Sequence, residues 1–400
     1  MTRKRSKLLT ITIPAFVMAM LVVAVGVEGW VRIRWNPKNG QPGLFLSDAV
    51  RGQRLAPNYD GWFAGIPVHI NNLGFRDPRD YSIAKQSNTF RILFLGDSVT
   101  FGHGSVYEHT YPYLVEQKLK AWRPDVDWQV WNLAVPGYNT SQELEHLKEV
   151  GPRFSPDLVV VGFYDNDLVD NRPPQRPGWL RTSAAKALSF AQRHIYSIEL
   201  YKRIYLQAAW RLSASDKYRE RLENINSEEQ ELRKTDTLAD AEAQKLTDFD
   251  RLTDEDLRTS CPKKPPPSAD VADAAQHQEG YQYWLDAIRG FQQLHREGTY
   301  RVVFFLNVAP PRCPATDDSF FDDDGYGLNA MFMRVIGDSM PIVSAHDALL
   351  HTRPRQMPGW SGHSFGNTNV VKAEVLFAYL RDRALPEALR QQTRTSAAAR

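Results

Sequence analysis

RILFLGDSVTFGHG, at residues 91–104, is the stretch of sequence that decides the fold. Residues 91–95 form a short and mostly apolar run, which predicts a buried strand because it is too short for a helix. Gly96, Asp97 and Ser98 end this run, and a helical pattern resumes near Ser105. A strand that turns into a helix here places the Ser98 hydroxyl at the carboxyl edge of a parallel sheet. That edge is where open α/β sheets carry their sites.

The Ser98 turn has two interpretations. Backbone N–H groups of the turn and of the following helix start point toward one place, which suits an anion or the oxyanion of an acyl-transfer intermediate. Ser98 is then a candidate nucleophile. The alternative is an ordinary strand-to-helix turn in which Ser98 only caps the helix. Three residues do not decide between the two, because such short motifs recur by chance.

Length and composition limit the classes of protein to consider. A chain of 400 residues predicts two or three domains, or one large domain with insertions. The formal net charge of +2 argues against nucleic acid as a partner. Two cysteines, Cys261 and Cys313, form neither a disulfide framework nor a zinc site. If the chain is exported, we expect these two thiols to form a disulfide.

The N-terminus predicts a membrane anchor. Residues 8–27 carry no charge, and at ~1.5 Å per residue they match a ~30 Å hydrocarbon core. Positive charge precedes this run, and interfacial residues follow it from Glu28 onward, so we expect residues 1–7 in the cytoplasm, residues 8–28 in the membrane and the remainder outside. The alternative is a cleaved signal peptide, but the run is long for one and no small-x-small cleavage site follows the run before Glu28. The flanking residues are Arg3, Lys4, Arg5 and Lys7 before the run and Glu28, Trp30, Arg32 and Arg34 after it.

The chain after the predicted membrane segment divides into regions that differ in their predicted secondary structure. Residues 29–89 predict a lead-in of loops and short strands, and residues 90–385 alternate strand with helix, typical of a parallel α/β domain. Residues 173–275 interrupt this alternation as a mainly solvated helical insertion, with a partner-binding hairpin as the alternative. Residues 386–400 predict a disordered tail. The predicted strands are 91–95, 128–133, 157–163, 301–307 and 341–344, and the predicted helices include 107–122, 276–297, 326–340 and 367–380.

A general base for Ser98 is sought among ten histidines. His363 lies just before the last predicted helix, so it reaches the same sheet edge as Ser98 if the sheet is parallel. His103 and His109 follow Ser98 closely, but the intervening helix turn is expected to carry them to the surface or to the rim of the site, where lining a pocket is an alternative. A further local prediction is a capping box at the helix after residue 140, with Thr140 as the cap and Glu143 as its partner.

Four sequence blocks, taken together, resemble the SGNH (GDSL-like) hydrolase superfamily in its bacterial membrane-anchored form. The resemblance implies a flavodoxin-like three-layer α/β/α fold with a mostly parallel five-stranded sheet. It also implies Ser98 as nucleophile and His363 as base, with the Gly137 N–H and the Asn166 side-chain amide as oxyanion donors. No metal or organic cofactor is implied. The blocks are GDSVTFG at 96–102, NLAVPGY at 132–138, GFYDND at 162–167 and GH at 362–363, preceded by NLGFR at 72–76.

Two positions depart from the family pattern. The glycine of the third block stands four residues before Asn166 rather than two. The family also places an Asp two or three residues before its catalytic His, where this chain has Ser361 and Trp360. That acid orients the imidazole. Three hypotheses follow: a Ser–His dyad oriented by a backbone carbonyl, a substitute acid such as Asp347, or an inactive site.

The sequence therefore predicts a serine esterase or O-acyltransferase, anchored in the cytoplasmic membrane with its catalytic domain in the periplasm. The resemblance implies small acyl esters of carbohydrates as substrates, with the membrane as the other partner and no nucleic acid. The missing acid motivates an alternative of another class. In that alternative, a catalytically weakened or inactive module binds a glycan or a partner protein of the cell envelope.

Overall fold

The computed structural model of the chain describes residues 12–36, 42–164, 167, 171, 178–213, 218–219, 221–223, 280–307, 332–345, 348–349, 363 and 366–390. Its first helix, α1 (Ile13–Arg34), has 22 residues and a mean hydropathy of 1.9 over its most apolar window, none of which is buried. By length and composition this helix is long and apolar enough to be a membrane span or a signal sequence. It continues past Glu28, where the apolar run ends, because Arg32 pairs with Glu28 one turn earlier at 2.7 Å.

Two antiparallel hairpins make up the lead-in. Strands β1 (Phe45–Asp48) and β2 (Gly52–Leu55) form the first, and β3 (Tyr59–Phe63) and β4 (Ile66–Ile70) form the second. Along these strands, apolar side chains on one face pack into a single cluster. The cluster also contains residues from the loops that follow the main strands. The lead-in hairpins therefore cover the loops at the carboxyl edge of the main sheet.

The main sheet has five strands: β5 (Thr89–Gly96), β6 (Asp127–Asn132), β7 (Leu158–Phe163), β8 (Val302–Leu306) and β9 (Ile342–Ser344). Their spatial order is β6-β5-β7-β8-β9, and every neighbouring pair is parallel. Strands β5, β7 and β8 are buried along their whole length, as continuous apolar runs require. Counted within the sheet, the order is 2-1-3-4-5, so the predicted flavodoxin-like fold is confirmed.

Helices follow the strands in chain order. They are α2 (Ser98–Phe101), α3 (Tyr111–Trp122), α4 (Thr140–Phe154), α5 (Trp179–His194), α6 (Ser197–Ser213), α7 (Tyr281–Arg296) and α8 (Gly366–Tyr379). Alternate residues of β5 point to opposite faces of the sheet. Ile92 lies in one core with α3 and α8, and Leu93 lies in the other with α4 and α7. These three layers place the end of β5 in the middle of the molecule.

Three local expectations differ from the structure. The helix after the GDS turn begins at Ser98 rather than near Ser105. The next long helix begins at Tyr111 rather than at 107, because Pro112 suits a first helical turn; residues 107–109 form a 3₁₀ turn. The capping box uses Asn139 and Gln142, one residue before the predicted pair, and leaves Glu143 buried in the first turn.

The insertion supplies two of these helices within the described residues. The α5 helix rests on the first lead-in hairpin, where the Ser189 hydroxyl donates to the Ser47 carbonyl at 2.7 Å. The α6 helix begins beside α1, because the Glu28 carboxylate accepts from the amides of Tyr196 and Ser197 at 3.0 and 2.8 Å. Residues 386–390, which the sequence assigns to the disordered tail, are helical in the structure, and Ala388 among them is buried. The predictions for residues 224–279 and for the tail after 390 lie outside the described residues, as do Cys261 and Cys313.

Candidate active site

The turn that carries Ser98 is built by its neighbour. Asp97 caps α2, with its Oδ1 accepting from the Val99 amide at 2.9 Å. Ser98 therefore occupies the first turn of the helix, and the interpretation of Ser98 as the helix cap is wrong. Gly102 ends the helix with a φ of +84°, a left-handed conformation that glycine adopts without strain. One short turn of helix thus holds the Ser98 hydroxyl at the edge of the sheet.

A buried arginine fixes the far end of this turn. The guanidinium of Arg76 donates to the carbonyls of Phe101, Gly102 and Ser105 at 2.6, 2.7 and 2.6 Å. Phe101 is the last residue of α2, and the other two carbonyls follow it in the chain. The Gly102 carbonyl also accepts from the Ser105 amide at 3.0 Å, so Arg76 adds a second donor there from the lead-in. The NLGFR segment therefore contributes directly to the geometry of α2, which its sequence alone did not indicate.

The Thr100 hydroxyl fills a gap between two strands. Gly96 and Gly162 are direct neighbours on β5 and β7. A Cβ atom at either glycine would overlap the Thr100 hydroxyl. Asn307 and Tyr111 also contact that hydroxyl, each at 2.9 Å. The displaced glycine of the third block thus has a structural role, which is to let α2 sit directly over the sheet.

Ser98 and His363 meet, although 265 positions separate them in the chain. The Nε2 atom of His363 lies 2.8 Å from the Oγ atom of Ser98, within reach for proton transfer. The Ser98 hydroxyl is also 3.3 Å from Asp97 Oδ2, a longer contact. Both the Ser98 and His363 side chains are partly accessible, so a substrate can approach them. This pair has the arrangement of an activated hydroxyl nucleophile and its base.

Of the positions predicted for His103, the structure favours the lining of the site over the surface. Its ring stacks on that of His363, with centroids 4.1 Å apart and an interplanar angle of 18°. Phe63 of β3 contacts the other side of His103 edge-on at 5.0 Å. The chain turns back here because Gly102 and Gly104, on either side of His103, both have positive φ. The glycines flanking His103 were the sequence signal for this reversal.

Gly137 lies in a tight turn beside the end of β5. The Tyr138 amide donates to the Val135 carbonyl at 3.0 Å, and the φ of Gly137 is +78°. With proline at position 136 these features define a type II turn. Within the described residues, the amides of Gly137 and Ser98 donate to no acceptor. Two such N–H groups are available for the oxyanion of an acyl-transfer intermediate.

Two predicted site residues, Asn166 and Asp347, lie outside the described residues, as do Trp360 and Ser361, which stand where the family places its acid. The residue after Asn166 is described. Asp167 is buried, and its Oδ2 accepts from the Tyr164 amide and the Thr140 hydroxyl, each at 3.4 Å. These bonds tie the end of the third block to the start of α4.

Two further ionisable side chains are buried near Asp97. Burial raises the pKa of Glu143 well above its ordinary value, and the charge of Asp97 adds to this effect. Burial lowers the pKa of Lys372 on α8 to about 7, while the charge of Asp97 acts in the opposite direction. Sequence reasoning missed both residues, because nothing in their local patterns marks them as buried. Among the described residues, no group of three His, Cys, Asp or Glu side chains is placed to hold a metal.

Comparison with known proteins agrees with this geometry. Residues 94–260 match the model of the GDSL-like lipase/acylhydrolase family. This region of the chain therefore matches the GDSL-like family, and the predicted resemblance to the SGNH hydrolases is confirmed. The matched region includes Ser98 and Gly137 but ends before β8 and His363. No curated protein matches the chain.

Solved structures with remote similarity include three esterases or lipases. A catalytic mutant of Axe2, an acetylxylan esterase from Geobacillus stearothermophilus, is 11% identical with a TM-score of 0.36, over 74% of this chain and 94% of that one. The lipase Lip_vut3 from a goat rumen metagenome is 13% identical with a TM-score of 0.36, over 72% and 96%. A GDSL-like lipase from Bacteroides thetaiotaomicron is 10% identical with a TM-score of 0.32, over 74% and 90%. Similarities this remote say nothing about the substrate of this chain.

Proposed function

We propose that this protein is a membrane-anchored serine esterase or O-acyltransferase with Ser98 as nucleophile and His363 as general base. The observation that carries the proposal is the distance of 2.8 Å between Ser98 Oγ and His363 Nε2. A hydroxyl and an imidazole from opposite ends of a domain are brought together at the sheet edge where α/β enzymes carry their sites. The family match supports the same chemistry.

The proposed reaction begins when Ser98 Oγ attacks an ester carbonyl and its proton passes to His363 Nε2. The negative charge then develops on the carbonyl oxygen, which the amides of Ser98 and Gly137 stabilise, together with the Asn166 side chain that the family resemblance implies. His363 returns the proton to the departing alcohol, leaving an acyl group on Ser98. Attack on this acyl group by a water molecule gives hydrolysis, and attack by a sugar hydroxyl gives acyl transfer. In either case His363 takes the proton of the attacking group and returns it to Ser98 Oγ as the bond between Ser98 and the acyl group breaks.

The test uses the full chain in detergent with p-nitrophenyl acetate and a fluorophosphonate label. We expect hydrolysis and labelling by the natural sequence, and neither by Ser98→Ala or His363→Ala. Ser82→Ala is the matched control, because Ser82 is an exposed serine of the lead-in. Equal hydrolysis by the natural chain and Ser98→Ala would contradict the proposal and favour the binding module.

The position of the catalytic acid has its own test. If Asp347 orients His363, Asp347→Asn lowers kcat by several orders of magnitude while the protein still folds. If a backbone carbonyl orients His363 in a dyad, the same variant keeps the kcat of the natural chain. A natural chain that neither hydrolyses the ester nor takes the label supports the third hypothesis, an inactive site.

The anchored, extracytoplasmic location is supported by the length and hydropathy of α1 and by the basic residues that precede it. A reporter pair tests it: alkaline phosphatase, active only outside the cytoplasm, and green fluorescent protein, each fused after residue 400. We expect activity from the phosphatase fusion alone and an intact N-terminus by mass. Cleavage near Glu28 would instead identify a signal peptide.

Carbohydrate esters are proposed as substrates on the family resemblance alone. The test incubates the full chain with an acetylated oligosaccharide, with and without an unacetylated sugar. Free acetate in both samples indicates an esterase. Acetate that moves to the second sugar indicates a transferase, and no release from any acetylated sugar contradicts the proposed substrate class.

A further inference from the structure

Gln53 of β2 contacts the turn that carries Gly137. Its Nε2 donates to the Pro136 carbonyl at 2.7 Å, and its own backbone carbonyl accepts from the Tyr138 hydroxyl at 2.7 Å. Both contacts join residues more than eighty positions apart. Gln53 lies in the lead-in, before the region that matches the family.

The contact with the Pro136 carbonyl sets the direction of the Gly137 amide. The peptide between the two residues is planar and trans, so its C=O and N–H groups point in opposite directions. A donor that holds the carbonyl on one side therefore holds the N–H on the other. The Gly137 N–H consequently faces away from Gln53, and it donates to no described residue.

This peptide is also the part of the turn that can flip. Type I and type II turns differ by a rotation of about 180° of their central peptide. Proline at position 136 is compatible with both types, and the glycine permits the positive φ of type II. The Gln53 contact favours type II, because a flipped peptide would lose the hydrogen bond to its carbonyl. The same flip would turn the Gly137 N–H away from the proposed oxyanion.

We propose that Gln53 is a positioning residue, which holds the Pro136–Gly137 peptide so that the Gly137 N–H serves the oxyanion. This inference rests on the proposed esterase function, and it deepens that function by assigning a role to the lead-in hairpin. Gln53 acts through Gly137 and does not touch the reacting atoms.

The hairpin does not depend on Gln53 for its own placement. Arg51, in the turn between β1 and β2, pairs with Glu149 of α4 at 2.6 Å, and its carbonyl accepts from Gln142 at 2.5 Å. Leu46 and Leu55 are buried in the lead-in cluster. A substitution at position 53 should therefore change the turn and leave the hairpin docked.

The experiment compares Gln53→Met, which keeps the size of the side chain but has no donor, with Gln53→Lys, which keeps a donor of slightly longer reach. We expect Gln53→Met to lower kcat for p-nitrophenyl acetate by about 10- to 100-fold, approaching the ~10²–10³ effect of deleting an oxyanion donor. KM should stay within about twofold, since ground-state binding is unchanged. Gln53→Lys should recover most of kcat.

Labelling separates positioning from damage to the fold. In Gln53→Met the fluorophosphonate should still label every molecule, but more slowly, whereas partial unfolding would lower the labelled fraction. The matched control is Gln192→Met, which removes the contact of Gln192 with the Ser47 amide at 2.8 Å on the same hairpin, far along the chain from Pro136. We expect its kcat to be unchanged.

The outcomes are distinguishable. If the natural chain hydrolyses the ester and Gln53→Met keeps its kcat, the positioning role is overturned and the esterase stands. A reduced labelled fraction with a normal rate per labelled molecule also overturns it. If the natural chain neither hydrolyses the ester nor takes the label, the proposed function fails and this inference fails with it.

Discussion

At the scale of single residues, His103 has the clearest consequence. Its ring stacks on His363, so it limits the orientations of the proposed base. We expect His103→Ala to lower kcat/KM by about three- to tenfold, because an aromatic pair contributes ~0.5–1.5 kcal/mol. His103→Phe keeps a flat ring and should retain most activity. Steady-state kinetics with p-nitrophenyl acetate measures both, and equal rates for His103→Ala and the natural chain would contradict this role.

Glu143 gives a residue-scale prediction about stability. Burial raises its pKa in the folded protein, so the folded state holds a proton that the unfolded state releases above about pH 4.5. Stability is therefore lost as the pH rises, by at most about 1.4 kcal/mol per unit. Glu143→Gln cannot ionise and should unfold at a higher temperature than the natural chain, by a margin larger at pH 8 than at pH 5. If the difference in unfolding temperature between Glu143→Gln and the natural chain did not change with pH, the raised pKa of Glu143 in the folded protein would be contradicted.

A sequence indicates functional residues only by their type and by the pattern of their neighbours, and this limits which of them can be predicted. Ser98 could be identified because it follows the end of a predicted strand, and His363 because it precedes the last predicted helix. The contact of His103 with His363 could not be predicted, because the backward turn through Gly102 depends on a backbone conformation that the helix pattern does not show. The sequence predicts Glu143 as a capping partner and the structure uses Gln142 instead, since Thr140 and Asn139 are both good caps and only packing chooses between them.

At the scale of elements, the short helix α2 depends on Arg76. Three carbonyls at its end accept from this one guanidinium. Arg76→Met leaves them buried without that donor, so we expect a loss of about 2–5 kcal/mol of folding free energy and lower esterase activity. Thermal unfolding in detergent measures the loss.

Arg289→Met is the control for Arg76, because the Arg289 side chain is 65% exposed and its ion pair with Asp286 should contribute little. Arg76→Lys should recover only part of the lost stability, since a lysine cannot reach three carbonyls in the fixed directions of a guanidinium. Equal unfolding temperatures for Arg76→Met and Arg289→Met would contradict the stabilising role of Arg76.

The five main strands were predicted within about two residues at each end, since continuous apolar runs bounded by polar residues mark buried parallel strands. The lead-in strands were predicted only as short hairpins, because short alternating runs carry little signal. Their packing over the sheet edge could not be predicted, since the contacts of Arg76 and Gln53 with the site join residues 25 to 83 positions apart. No local sequence pattern indicates contacts between residues so far apart in the chain.

At the scale of the whole molecule, the described residues join the candidate membrane span to the domain through one junction. Besides accepting two amides at the start of α6, Glu28 pairs with Arg32, whose guanidinium donates to the His194 carbonyl at 2.7 Å. The ring of Tyr196 lies 4.2 Å from the same guanidinium. The predicted anchor and the predicted insertion, described separately from the sequence, are thus one connected structure.

We expect a change in this junction to affect the start of α6 and to leave catalysis unchanged. In the full chain in lipid nanodiscs, Glu28→Ala removes the acceptor for the Tyr196 and Ser197 amides, and losing such a cap costs about 1 kcal/mol. We therefore expect these amides to exchange hydrogen about fivefold faster. The kcat for p-nitrophenyl acetate should stay unchanged, because Glu28 has no contact with Ser98 or His363.

Glu199→Ala, on the first turn of α6, is the control and should leave hydrogen exchange at the Tyr196 and Ser197 amides unchanged. A fall in kcat in Glu28→Ala alone would show instead that the anchor junction is coupled to the catalytic site.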